Sequence, residues 1–407
     1  MLAQVLLTIV VAEPLQLEDL FARVRCSWPY RDLSRSLFDR VLDMLAGRYA
    51  DSRIRELRPR LTIDRVRGTL TARKGSDRVL YMAGGTIADR GYFALRHQDT
   101  GAKIGDLDEE FVWERSIGDT FVLGAQSWQI QRITHNDVMV RPGRGRTAAL
   151  APFWRADKRD RGFFVSQRTV ELLESVANRL RDPARPQELR ASHRLEPEAA
   201  GELIRYIEGQ RAATGGKLPR RDRLLVEVCR GGRVAPGMRQ VILHSFWGGA
   251  VHRPLGLALA AAWEERHGEV LDVFHDDGCL LAIVPEDFGV RELLALAAPE
   301  QIEELLRRKL ENTGFFGAQF RVAAQAALLL PRAGFGKRTP LWLHRQRSKA
   351  LLETVASYGD FPVVVEAWRA CLRDEFDLIH LKAQLARVAD GSIELDEVVT
   401  ESPSPLA

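Results

Sequence analysis

The chain has 407 residues, 45% of them hydrophobic, enough to bury the cores of two or three domains and too many for a disordered tail. Lys and Arg number 59 against 55 Asp and Glu, a net charge of +4 carried mostly by Arg; this mildly basic balance suits a nucleic-acid binder, although a GC-rich genome produces the same Arg bias. The four cysteines, Cys26, Cys229, Cys279 and Cys371, form no CxxC pair and have no His at ligand spacing, so reduced thiols are expected in place of a disulfide frame or a zinc site.

The opening MLAQVLLTIVVAEP lacks a basic leading segment and a clear small-residue cleavage site, and its apolar run is too short for a membrane span. A buried first helix over 2–11 is the expectation, with no membrane contact and a cytoplasmic location. Leu17, Leu20, Phe21 and Val24 then repeat at helical spacing. Trp28-Pro29-Tyr30 breaks that helix, and Ser34 or Ser36 can cap the next, whose stripe of Leu37, Phe38, Val41, Leu42 and Leu45 runs to Gly47. From Arg53 to Arg73 β-branched residues alternate with Arg around a turn at Gly68. Three helices followed by a basic hairpin is the pattern of a winged helix, expected over 1–75. That fold serves DNA-binding and protein-binding chains alike, so it leaves the function open.

From Val79 to Val140 the period changes to short β-rich runs separated by Gly, Asp and Asn. A small antiparallel barrel or sheet is expected within 76–165, with Trp113 and Trp128 inside it. Gly84-Gly85-Thr86-Ile87 stands out because paired glycines let a ligand approach the backbone and leave Ile87 at an edge; a tight turn with a buried Ile is the plainer account. The acidic run Asp106, Asp108, Glu109 and Glu110 reads as a solvated loop.

The stretch Arg141 to Gly162 closes this region. Between Arg141 and Arg168 eight Lys or Arg face two acids, Asp157 and Asp160, with Phe153 and Trp154 in the middle. Guanidinium groups suit phosphates and an exposed indole suits an unstacked base, while a solvated loop around a core tryptophan would carry the same residues. Beyond it, helices are expected over 169–179 and 196–211. RLLVEVCRGG and GMRQVILHSFWGG read as strands, VHRPLGLALAAAWEERHG as an amphipathic helix, and EVLDVFHDDGCLLAIVPED as a hairpin turning at Asp277-Gly278. Almost everything after Val290 reads as helix. The expected class is α+β: a winged helix, the β-rich region, a mixed α/β domain over 166–400 that ends in a helical bundle, and a flexible tail over 401–407.

No catalytic or metal site is expected. A phosphate-gripping loop needs Gly, four residues, then Gly-Lys and Ser or Thr. Around Gly216-Lys217 the first Gly is replaced by Arg211 and the hydroxyl by Leu218; around Gly336-Lys337 the replacements are Pro331 and Arg338. ATP hydrolysis is therefore not expected of this chain alone. His275-Asp276-Asp277 reads first as a turn. His244 and His252, flanking Phe246-Trp247-Gly248-Gly249, read as satisfied structural residues. A freestanding glycosylase- or nuclease-like enzyme using Asp276, Asp277 or His252 is one alternative, and a protein-binding scaffold is another.

Several stretches, in this order, resemble the large helicase-related (Lhr) family of superfamily 2 helicases: Trp28 to Leu33, Gly85 to Arg90, Gly105 to Val112, Gly118 to Gly124 continuing through Ser127 to Ile130, Pro152-Phe153-Trp154, Gly248 to His252, Asp276 to Gly278, and Asn312 to Gly317. The resemblance spans nearly the whole chain, and it is to the part of the family core that follows the two RecA-like motor domains, a winged helix and a DEAD/H-associated domain. It implies a partner motor, in the same polypeptide or another, through which ATP and Mg would act; no cofactor is expected in this chain. It also implies movement 3′ to 5′ on single-stranded DNA, unwinding of DNA or RNA:DNA duplexes, and a link to DNA repair. Similarity places Trp154 and Ile87 where the family meets the single strand. The candidate interface is thus Trp154 stacking on a base, Ile87 with Thr86 against a sugar or base, and Arg141, Arg144, Arg146, Arg155 and Lys158 on phosphates.

Overall fold

In the computed structural model the apolar opening is a helix, α1 (Leu2–Ala12), that buries Ala3, Leu6, Leu7 and Val10, a stripe at intervals of three and four residues. The described residues are 1–50, 54–83, 85, 92–108, 111–112, 117–123, 126–134, 136–143, 160–231, 234–311, 314–330 and 341–407. They form a mixed α+β protein whose contacts divide it into two units, one from 1–157 with 312–371 and one from 158–311 with 372–407.

In the first unit the short strand β1 (Leu15–Gln16) leads into α2 (Leu17–Arg25), which buries Leu20 and Val24. Next comes α3 (Arg35–Ala46), where Ser34 Oγ accepts the Leu37 amide at 3.3 Å and satisfies one of the free donors of the first turn. The helix ends at Gly47, whose φ of 90° is left-handed. The hairpin of β2 (Leu61–Asp64) and β3 (Thr69–Ala72) takes β1 on its other side, in the order β1-β3-β2.

The chain then departs from the β-rich expectation and forms a helix, α4 (Ser76–Ala83), packed on α1. Val79 and Tyr81 alternate as a strand would. However, Gly75 turns the chain at φ 87°, the buried Ser76 hydroxyl donates to the Arg60 carbonyl at 2.8 Å, and Arg, Leu, Met and Ala are all good helix formers.

The following strands are β4 (Tyr92–His97), β5 (Lys103–Asp108), β6 (Thr120–Leu123), β7 (Gln126–Ile133) and β8 (Asp137–Pro142), in the order β5-β4-β8-β7-β6. The expected antiparallel arrangement needs a correction: β4 and β8 run parallel, because β8 returns beside β4 only after the β6–β7 hairpin. Alternate residues point inward, so Trp128, Ile130, Val138 and Val140 join Phe93, Leu95, Leu107 and Phe121 in one core. Trp128 is inside as expected; Trp113 lies outside the described residues. Residues of 312–371, which the sequence placed in the C-terminal domain, pack in this first unit. Phe361 meets Tyr49 edge-on at 5.0 Å, Arg345 lies 4.1 Å over the Phe93 ring, and Asp360 pairs with Arg48 at 3.2 Å.

The second unit is built on β9 (Arg223–Cys229), β10 (Met238–His244), β11 (Val273–His275), β12 (Cys279–Pro285) and β13 (Glu394–Thr400), in the order β11-β12-β10-β9-β13. The helix Gly249–His267 crosses the sheet with Gly256 against Val273 and Leu280; a Cβ there would lie 3.1 Å from Val273. Phe163–Ala177, Arg185–His193 and Pro197–Ala213 are helices that share a core of Val170, Leu173, Leu189, Ala200 and Ile207.

Two expectations fail at the C-terminus. The run 394–400 is a strand parallel to β9, where helix was expected. The tail is also docked, not flexible: Ser404 is buried, Tyr206 donates from its hydroxyl to the Pro405 carbonyl, and the Leu406 amide donates to Gln210 Oε1 at 2.8 Å. The cause is Glu227, a fully buried carboxylate in mid-strand that requires donors. It receives the Ser404 amide and hydroxyl, the Thr400 hydroxyl at 2.7 Å and His244 Nε2 at 2.8 Å.

Candidate nucleic-acid interface

Arg141 is the candidate contact whose surroundings can be described; Thr86, Ile87, Arg144, Arg146, Trp154, Arg155 and Lys158 lie outside the described residues. It stands on β8, where the inward positions are Val138 and Val140 and the intervening side chains turn outward. Its guanidinium pairs with Asp99 at 2.8 Å while half exposed. An exposed pair of this kind is worth under about 1 kcal/mol, so a phosphate can take the place of Asp99 at little cost.

The residues flanking the undescribed stretches are firmly held. Just past β8, the Gly143 amide donates to the Ser127 carbonyl at 2.8 Å, and a Cβ on Gly143 would meet Ser127 Oγ at 2.8 Å. At the far end of the Arg-rich stretch, the Arg161 amide donates to Asp277 Oδ1 at 2.7 Å, and the same oxygen accepts the Gly249 amide at 2.9 Å. One carboxylate thus fastens both the residue leading into the helix Phe163–Ala177 and the first turn of the helix Gly249–His267. Gly248 makes the approach possible, since at φ 87° a Cβ there would lie 2.2 Å from the Arg161 carbonyl oxygen. In the first unit, Gly85 at φ 85° offers its carbonyl to Gln4 Nε2 at 3.1 Å, and the same amide donates to Ala326 at 3.0 Å. Gly85 immediately precedes Thr86 and Ile87.

The groups that could have carried enzymatic chemistry are engaged structurally. Asp276, Asp277 and Gly278 form the connection between β11 and β12, and Asp276 Oδ1 accepts the amides of Gly278 and Cys279, each at 2.7 Å. His252 is fully buried. Its Nδ1 must carry the proton, because its partner at 2.6 Å is the Asp276 carbonyl, which leaves Nε2 to accept from the Ser245 hydroxyl. Burial pushes its pKa down to about 4, so the ring is neutral at physiological pH. Burial likewise pushes the Cys279 thiol up to about 12, which keeps it from acting as a thiolate nucleophile. Among the described residues no group of three or more His, Cys, Asp or Glu is placed to hold a metal, and no helix is long and apolar enough to cross a membrane. The anchoring role of Asp277 was not foreseen from sequence; its partner amides are 116 and 28 residues away, and no local pattern marks them.

Two family profiles match this chain: "Large helicase-related protein, winged helix domain" over residues 1–150 and "DEAD/H associated" over residues 218–407. The chain belongs to the large helicase-related family. It is 36% identical to the "Lhr helicase/uracil glycosylase" of Escherichia coli K12 and 38% identical to the "Lhr helicase/ probable uracil glycosylase" of Mycolicibacterium smegmatis, over 100% of this chain but only 26% and 27% of those proteins. It is 25% identical to the "ATP-dependent helicase Lhr-Core" of Saccharolobus solfataricus, again over its whole length and 47% of that protein. A solved structure described as "Structure of Mycobacterium smegmatis helicase Lhr bound to ssDNA and AMP-PNP" superposes with a TM-score of 0.73 at 31% identity, covering 100% of this chain and 47% of that one. The chain thus spans between about a quarter and a half of these relatives, and corresponds to the winged-helix and DEAD/H-associated part of the family.

Proposed function

We propose that this chain is the strand-holding, non-motor portion of an Lhr-type ATP-dependent helicase. The observation that carries the reading is its end-to-end similarity to a helicase structure bound to single-stranded DNA. The Arg-rich stretch beginning at Arg141, fixed at one flank through Gly143 and at the other through Arg161, adds support. In this reading the elements α1 to β3 are the winged helix, and Trp154 stacks on a base while Ile87 and Thr86 press on the neighbouring sugar or base. Arg141, Arg144, Arg146, Arg155 and Lys158 meet phosphates. ATP and Mg act through RecA-like motor domains, in the same polypeptide or a separate one. These pull the strand 3′ to 5′, open DNA or RNA:DNA duplexes, and serve DNA repair in the cytoplasm.

Stacking of one base is worth about 1–3 kcal/mol. Titrating a fluorescent oligothymidylate with the chain should therefore show Trp154→Ala weakening binding about tenfold or more. The logarithm of the affinity should fall against the logarithm of salt by roughly 0.7 for each phosphate contact. Unchanged affinity in Trp154→Ala removes that residue from the interface, and a flat salt response favours the protein-binding scaffold.

A further inference from the structure

We infer that α4 is a second strand-contacting element, with Tyr81 stacking on a base and Arg73, Lys74 and Arg78 meeting the phosphates beside it. The inference rests on the single-strand reading above and extends it to residues that the sequence did not single out. Tyr81 is 76% exposed on a helix whose Val79 and Leu80 are half buried, so its ring has no packing role that explains it. Arg78 lies three residues earlier, on the same face of α4, and Arg73 and Lys74 stand exposed just before the helix.

None of these three cations makes a side-chain hydrogen bond or ion pair among the described residues, which leaves each able to meet a phosphate without giving up a partner. Elsewhere in this unit Arg35 is held by Glu18 and Asp39, Arg48 by Asp43 and Asp360, Arg65 by Asp43, and Arg96 by Asp137. Asp77 is the single carboxylate within the 73–81 stretch, so the local balance stays positive. Free cations around an exposed ring fit a polyanion with flat bases, whereas the core of a protein interface is depleted of charge. Position supports the same occupant. α4 rests on α1, Gln4 of α1 holds the Gly85 carbonyl at 3.1 Å, and Gly85 comes four residues after Tyr81 and just before Thr86 and Ile87. The helix is thereby fixed to the backbone that leads into the proposed contact.

The test is binding of the full chain to a fluorescent oligothymidylate, with Trp154→Ala as a parallel control. Tyr81→Ala should weaken binding at least fivefold and Tyr81→Phe should not, because the phenyl ring stacks as well. Replacing Arg73, Lys74 and Arg78 by Ala should lower the salt slope by about 2, as expected for three contacts on a single strand. These side chains are exposed, so the variants should melt at the wild-type temperature. If Trp154→Ala weakens binding while Tyr81→Ala and the triple variant do not, the inference about α4 is wrong and the strand reading stands; α4 is then free to face a protein partner. If neither Trp154→Ala nor Tyr81→Ala has an effect, the strand reading fails and the inference fails with it. Tyr81→Phe losing as much as Tyr81→Ala also overturns stacking.

Discussion

Glu227 and His252 are both shut away from water, and they are stabilised in opposite charge states. Burial pushes the Glu227 carboxyl up, but the donors from His244, Ser404 and Thr400 outweigh it and hold the group below the ordinary carboxylate range. A depressed carboxyl contributes stability that is present above its unfolded pKa, about 4.5, and is lost as pH falls through the folded value. Ser404→Ala removes one donor from a buried charge and should cost about 1–3 kcal/mol in urea unfolding at pH 7. The deficit of Glu227→Gln relative to wild type should shrink as the pH drops below 4.5. His252 has the reverse logic. Its folded pKa of about 4 lies below the ordinary 6.5, so between those values the unfolded chain binds a proton that the folded one refuses. Stability should be complete above pH 6.5 and fall by about 3 kcal/mol on the way to pH 4, a loss that His252→Asn should not show. A wild-type curve parallel to that of the variant across this range would mean that the ring is protonated in the fold.

At the scale of elements, glycines and carboxylates decide where chains meet. Gly47→Ala places a Cβ at φ 90° and 2.6 Å from Pro59 Cγ, so the end of α3 must distort, at a cost of about 2 kcal/mol or more. Asp277→Ala frees the amides of Arg161 and Gly249. Hydrogen exchange at both should accelerate together, and single-strand affinity should fall if the Arg-rich stretch works from that anchor; exchange unchanged at either amide contradicts the bridge. Elements with a strong period were legible from sequence: the stripe of α1, the Ser34 cap and Gly47 stop of α3, and the turn at Asp277-Gly278. What escaped depends on distant partners. α4 looks like a strand until Ser76 finds the Arg60 carbonyl, and ESPSPLA looks like a loose end until Ser404 finds Glu227, 177 residues away. The proposed interface was legible only as chemistry, a basic stretch with an indole plus a glycine pair. Nothing local to Tyr81 separates an exposed ring from a core ring, because that distinction is made by what α1 covers.

At the scale of the molecule, the chain crosses between its two units at 157/158, 311/312 and 371/372, so no single cut separates them. A linear division of the sequence could not find this, since nothing in the composition of 312–371 announces that Phe361 will cover Tyr49. Each unit, of roughly 200 residues, has its own core, the first with two sheets and the second with one, which makes separate unfolding transitions the physical expectation; at that size 1 kcal/mol shifts a midpoint by about 2–4 °C. In scanning calorimetry Gly47→Ala should lower one transition by roughly 4–8 °C and leave the other in place, while Ser404→Ala should lower only the second. On the proposed strand reading, single-stranded DNA should raise the first, because α4 and Arg141 both belong to that unit. One transition shifted by either variant alone would mean that the two units fold as a single cooperative body. The strand would then stabilise the tail cluster around Glu227 as strongly as it stabilises α4.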